Sequence, residues 1–149
     1  IYDPKVQKRT IVNDIENFHD FYKQYNIKPV EKEELLAKSD IVTLHTPLDD
    51  STRNMLTAEK LSLMKSDAIL INLARGNLLD ENALKKMLMT NKLGGVALDV
   101  FSVEPPKDAE LLNLSNFIVT PHIGGSAKEA ILAMGMAAID GLDDNHIVL

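Results

Sequence analysis

An arginine, two acids and a histidine in this sequence are of types that together could handle a 2-oxo or 2-hydroxy acid. Arg75 can grip a carboxylate with two parallel N–H donors and keeps its charge at any working pH. His122 can pass a proton near neutrality, and a glutamate beside it, such as Glu104, would favour its cationic form. One group would hold the carboxylate and polarise the carbonyl while the other protonates the oxygen. No side chain supplies hydride, so the chemistry needs a cofactor. Asp3, at the end of an early strand, stands where a pair of ribose hydroxyls would be held. Singly, each residue has a plainer use. Asp3 could cap a turn ahead of Pro4, and Arg75 could pair with a surface carboxylate. Glu104 could sit in solvated loop before two prolines, and His122 could hydrogen-bond locally.

What favours a site is the set of elements that must position these residues. Short apolar runs at Ile41–Leu44, Ala68–Leu73, Val96–Val100 and Phe117–Thr120, with a weaker one at Ile27–Val30, predict strands. They do not alternate, as expected of parallel strands covered on both faces. Between them lie helical patterns. Phe18, Phe21, Tyr22 and Tyr25 form one apolar face, and Glu31–Lys38 reads as a short helix. Thr57 and Asp80 are placed to cap two more, with Leu56/Leu61 and Leu79/Leu84 as hydrophobic staples. Ser126 and Glu129 form a capping box for a last helix, with Ala130, Ile131, Met134 and Ala138 as its buried stripe and Gly141 as its stop. This alternation predicts an α/β fold with a doubly wound parallel sheet. In such sheets ligands bind beyond the carboxyl ends of the strands. There the sequence places Asp3-Pro4, His45-Thr46-Pro47, Ala74-Arg75-Gly76, Asp99 to Glu104, and Pro121 to Gly125. The convergence on one edge favours a site over five unrelated loop residues.

Composition narrows the classes. The chain has 149 residues, the length of one domain. A net charge of −6 argues against general binding to nucleic acid or anionic membranes. With no cysteine there is no disulfide scaffold, thiol nucleophile, thiolate zinc site or iron–sulfur cluster. His19, His45, His122 and His146 show no ligand spacing, so no metal site is expected. No run approaches a membrane span and there is no leader layout, which makes the cytoplasm the default expectation.

Four motifs then carry a resemblance. They are Leu44-His45-Thr46-Pro47-Leu48 followed by Thr52, Ile71-Asn72-Leu73-Ala74-Arg75-Gly76 with Asp80-Glu81-Asn82-Ala83-Leu84, Ala97-Leu98-Asp99-Val100-Phe101 with Glu104-Pro105, and Thr120-Pro121-His122-Ile123-Gly124-Gly125. In this order they resemble the NAD-binding domain of the D-isomer-specific 2-hydroxyacid dehydrogenases, over nearly the whole chain. The resemblance implies an NAD-dependent oxidoreductase acting on a small 2-hydroxy or 2-oxo acid, with a lean toward the phosphoglycerate and hydroxypyruvate branch. It implies that Arg75 binds the substrate carboxylate, that His122 is the acid/base, and that Glu104 orients it. Asp3 would hold the adenosine ribose and favour NAD over NADP, and Thr46, Pro47 and Thr52 would line the adenosine side. Leu73 and Ala74 would meet the nicotinamide half by backbone, Asp99 would bind near its carboxamide, and Arg75 and His122 would border the cofactor. Gly124 and Gly125 would let backbone approach it. The resemblance also implies a homodimer at full length, and leaves open a second reading, a non-catalytic NAD(H)-sensing module like a transcriptional corepressor of the same fold.

The family opens this domain with a strand, a G-x-G-x-x-G loop and a helix that cradles the pyrophosphate. That motif is absent here, and the only close glycine pairs are Gly94-Gly95 and Gly124-Gly125. The chain begins on Ile1-Tyr2-Asp3-Pro4, which reads as the end of a strand. The expectation is therefore a truncated dinucleotide-binding domain over 1–149, without its central first strand and without a substrate domain.

Overall fold

The computed structural model describes residues 30–144. Asp3, the expected Phe18–Tyr25 helix face and most of the expected Ile27–Val30 strand lie outside the described residues. Four parallel strands, β1 (Ile41–Leu44), β2 (Ile69–Asn72), β3 (Gly95–Leu98) and β4 (Phe117–Val119), form one sheet in the order β1-β2-β3-β4. Parallel neighbours cannot be joined by tight hairpins, and each link here carries a helix. Those helices are α2 (Ala58–Leu61), α3 (Glu81–Met89) and α4 (Ala109–Leu112), with α1 (Lys32–Lys38) before β1 and α5 (Lys128–Asp144) after β4. The arrangement is the α/β parallel sheet read from the sequence.

Local chemistry explains where the helices start. Thr57 accepts the Lys60 N–H at 3.3 Å, and Asp80 accepts the Ala83 N–H at 2.9 Å, so both predicted caps form. Asp108 caps α4 in the same way, accepting from Glu110 and Leu111 at 3.1 Å each. The staple residues Leu56, Leu61, Leu79 and Leu84 are all buried in one core. A parallel bridge joins Leu56 to Leu79, so the starts of α2 and α3 are tied together by backbone.

The register sorts the strand side chains into rows. Val42, Leu70, Val96 and Phe117 align across the sheet, as do Leu44, Asn72 and Leu98. These rows are buried, and Leu36, Leu61, Leu84, Leu88 and Leu111 from α1 to α4 share their core. The alternate row of Thr43, Ile71, Ala97 and Ile118 is less covered, and Ile41, Ile69 and Ile118 are exposed. Among the described residues α1 to α4 all contribute to the same core, and the other face of the sheet is less covered by them, as expected of an incomplete doubly wound fold.

The last helix also departs from expectation. It starts at Lys128, and Ala127 rather than Ser126 gives the first carbonyl, to Ile131 at 3.0 Å. It runs through Gly141 to Asp144 instead of stopping there. A single glycine costs a helix about 1 kcal/mol, which strong helix formers around it can absorb. Ile131 and Met134 are exposed rather than buried, because no described element packs closely over α5.

Candidate active site

Because the strands are parallel and in register, their carboxyl ends open on one edge, and the predicted loops follow there. The loop after β2 is shaped by Asn72, which is buried at the end of an apolar strand. Its side chain donates to the Arg75 carbonyl at 2.9 Å and accepts the Ala74 N–H at 3.1 Å. The turn therefore sets Arg75 outward, where its guanidinium is exposed and donates to the Ala74 carbonyl at 2.6 Å. Asn72 lies in the Ile71-to-Gly76 motif, and its only mark in the sequence is that it is the polar residue near the end of an apolar run.

The loop after β3 is brought against this one. A Cβ on Gly76 would fall 1.9 Å from the Phe101 carbonyl oxygen and 2.8 Å from the Ser102 nitrogen. Only glycine allows that approach, and it seats the Arg75 turn beside the segment that carries Glu104. Phe101 is buried and meets Phe117 edge-on, with ring centroids 6.4 Å apart. From this anchor the chain turns so that one Glu104 oxygen accepts the Phe101 N–H at 3.0 Å. The other Glu104 oxygen receives His122 Nδ1 at 2.8 Å. The histidine bond, and after it the Phe101 amide, hold the Glu104 carboxyl below the usual glutamate range. Glu104 is thus ionised at neutral pH and fixes Nδ1 of His122 as a donor, leaving Nε2 for proton transfer.

His122 itself is held in the left-handed region at φ 55°, a conformation uncommon outside glycine. Buried Asp99 supplies the restraint. It accepts from Ile123 N at 2.8 Å, from Gly124 N at 2.7 Å and from the Thr120 hydroxyl. Burial pushes the Asp99 carboxyl up, but the bonds from Thr120, Gly124 and Ile123 outweigh it and bring it below the usual aspartate range.

The structure thus brings Glu104 and His122 into direct contact and seats Arg75 on the neighbouring loop. Other predicted residues have local partners in the structure. Both Asp99 oxygens are engaged by the His122 loop, so a carboxamide would have to share them with that loop. Thr52 is buried, donating to the Pro47 carbonyl at 2.6 Å and accepting the Asp49 N–H at 2.8 Å, so it closes its own loop. Thr46 faces the Met55 sulfur at 3.6 Å, and Pro47 is exposed. The Ala74 N–H is taken by Asn72, whereas Leu73 is exposed. Gly124 is required by Asp99, since a Cβ there would lie 2.9 Å from its carboxylate, while Gly125 is open. Asp3 is outside the described residues.

These residues fit a dinucleotide in one respect. Leu73 and Ile123, close in sequence to Arg75 and His122 on the loops at this edge, are exposed and apolar, which suits a nicotinamide face. Among the described residues no cluster of His, Cys, Asp and Glu could hold a metal, and no helix is long and apolar enough to cross a membrane.

Comparison with known proteins gives a consistent picture. Residues 6–124 match the model of the D-isomer specific 2-hydroxyacid dehydrogenase, NAD binding domain. The chain is 45% identical over 117 residues to a glycerate dehydrogenase of Methylorubrum extorquens, covering 76% of this chain and 37% of that one. It is 50% identical over 102 residues to a D-3-phosphoglycerate dehydrogenase of Methanocaldococcus jannaschii, covering 68% and 20%. Among solved structures it is similar to a D-lactate dehydrogenase with NAD+ from Lactobacillus jensenii, with a TM-score of 0.67 and 32% identity, over 76% of this chain and 38% of that one. The chain therefore spans well under half the length of these relatives.

Proposed function

The chain belongs to the D-isomer-specific 2-hydroxyacid dehydrogenase family, and from that membership we propose that it carries the NAD-binding side and the proton-transfer groups of an enzyme interconverting a small 2-hydroxy acid and its 2-oxo acid. The observation that carries this reading is the Glu104–His122 contact at 2.8 Å, with an exposed arginine on the adjoining loop. Bound NAD would supply or accept the hydride. Arg75 holds the substrate carboxylate and polarises the adjacent carbonyl. His122 Nε2 gives a proton to the carbonyl oxygen in reduction and takes it back in oxidation. Glu104 keeps the imidazole oriented and its charge compensated. Leu73 and Ile123 would help exclude water from the cofactor's reactive face. Asp3, Thr46 and Pro47 would lie toward the adenosine end, with Asp3 selecting NAD by repelling a 2′-phosphate.

The substrate's tail would be read largely by surfaces beyond this sequence, since the relatives are more than twice as long. The 149 residues contain no G-x-G-x-x-G, so alone they would bind NADH weakly and turn over nothing measurable. Fluorescence titration with NADH tests this, and low-micromolar binding would contradict it. The activity is tested on the protein expressed from its complete coding sequence, by following NADH consumption with a panel of 2-oxo acids. Turnover of at least one supports the reading. NADH binding without turnover of any would favour a non-catalytic sensing module.

A further inference from the structure

The segment that presents Glu104 is held from a direction unrelated to the acid/base pair. Glu81, at the first position of α3, reaches across to Ser102. One carboxylate oxygen accepts the Ser102 N–H at 2.6 Å and the other accepts the Ser102 hydroxyl at 3.0 Å. Twenty-one residues separate the partners, so this is a tertiary clamp and not a local turn. Its effect follows from the geometry of the segment. Phe101 is fixed by its ring against Phe117 and by the close approach of Gly76. Next to it the side chains of Ser102 and Val103 are exposed, and Val103 is 65% exposed with little to pack on. Glu104, which must meet both the Phe101 amide and His122, is exposed as well. Between the buried Phe101 and the working Glu104, the Glu81 clamp is the restraint that comes from outside the segment, beside the bond of the Phe101 N–H to Glu104 itself.

We propose that Glu81 is a positioning residue that sets Glu104 against His122 by holding Ser102. This rests on the function proposed above. The clamp needs reach, because a carboxylate one methylene shorter cannot bridge to Ser102. It does not need charge, because an amide oxygen still accepts the Ser102 N–H while the amide NH2 can donate to its hydroxyl. Reach and charge can therefore be separated. Glu81→Asp keeps the negative charge at the start of α3, where it favours the helix, but loses the clamp. Glu81→Gln keeps the clamp and loses the charge.

The test measures kcat and the KM for NADH in the protein from its complete coding sequence, for Glu81→Asp and Glu81→Gln, each also in a Glu104→Ala background. His122→Ala serves as the control. The expected result is a fall in kcat on the order of tenfold for Glu81→Asp at unchanged KM for NADH, as misplacement of a reacting group gives. Glu81→Gln is expected to stay within about twofold of the parent. In the Glu104→Ala background the loss from Glu81→Asp should vanish, since a residue acting through Glu104 has nothing left to position. An equal loss in Glu81→Gln, or a loss undiminished without Glu104, would overturn the proposal. Full kcat in Glu81→Asp with activity abolished in His122→Ala would overturn this inference alone. Activity surviving in His122→Ala would overturn the proposed function and this inference with it.

Discussion

Asp99 and Gly124 are joined by a 2.7 Å hydrogen bond that could not form if residue 124 carried a side chain pointing into the same space, because its Cβ would lie 2.9 Å from the carboxylate. The carboxylate thus replaces the ladder partner that the backbone lacks once β4 has ended. Together with its bond to Ile123 it encloses His122, whose left-handed φ of 55° would otherwise relax.

Asp99→Ala removes the acceptor for both amides and for the Thr120 hydroxyl. The expected loss of stability is roughly 2 kcal/mol, the range for hydrogen bonds to a charged group. Urea unfolding measures it. Catalysis should fall further than stability, because His122 is released from its place opposite Glu104.

The same carboxyls set the response to acid. Asp99, Glu104, Asp49 and Asp108 are all held below their ordinary values, the last two chiefly by Ser51 and by Lys85. A depressed carboxyl contributes stability that is fully present above its unfolded value, near 3.9 for Asp and 4.3 for Glu, and is lost as pH falls through the lower folded value. Urea midpoints should therefore be level from about pH 5 upward with respect to these groups and drop below about pH 4. Asp99→Asn should flatten that drop.

Gly76→Ala should be costly despite its small size. The new methyl would sit 1.9 Å from the Phe101 carbonyl oxygen and 2.3 Å from its carbon, both backbone atoms. Separating the two loops should cost about 1–3 kcal/mol, and more if neither can move. It also displaces Arg75 relative to Glu104, so the kcat/KM for a 2-oxo acid should fall while NADH binding changes less. Thermal unfolding and steady-state kinetics on one preparation read both.

Asp80→Ala should lower stability by about 1 kcal/mol through loss of the α3 cap, and Asp80→Asn should restore most of it. Thermal unfolding midpoints of the two variants decide this. Equal losses would show that the cap bond to Ala83 is not what the carboxylate contributes.

Much of this arrangement is legible in the residues themselves. The caps at Thr57 and Asp80 and the strand at Ile41–Leu44 follow from local rules and appear as expected. Placing Glu104 near His122 needed only the rule that loops after parallel strands share one edge. The rest depended on contacts distant in sequence. Nothing near Glu81 announces Ser102, and nothing near Asp99 announces the amides of Ile123 and Gly124. Nothing near Thr52 in the sequence announces its burial or its bond to the Pro47 carbonyl. Gly141 reads as a stop in the sequence, but α5 carries on past it to Asp144.

In the proposed function His122, held by Glu104, moves the proton for a 2-oxo acid gripped by Arg75. This is tested most directly by NADH consumption with the best 2-oxo acid of the panel, in the parent protein, His122→Ala and Arg75→Ala. The expected result is a kcat loss of about 10²- to 10⁴-fold for His122→Ala with NADH affinity kept, and for Arg75→Ala a fall in kcat/KM with a raised KM for the oxo acid. Parent-like rates in both variants would contradict it.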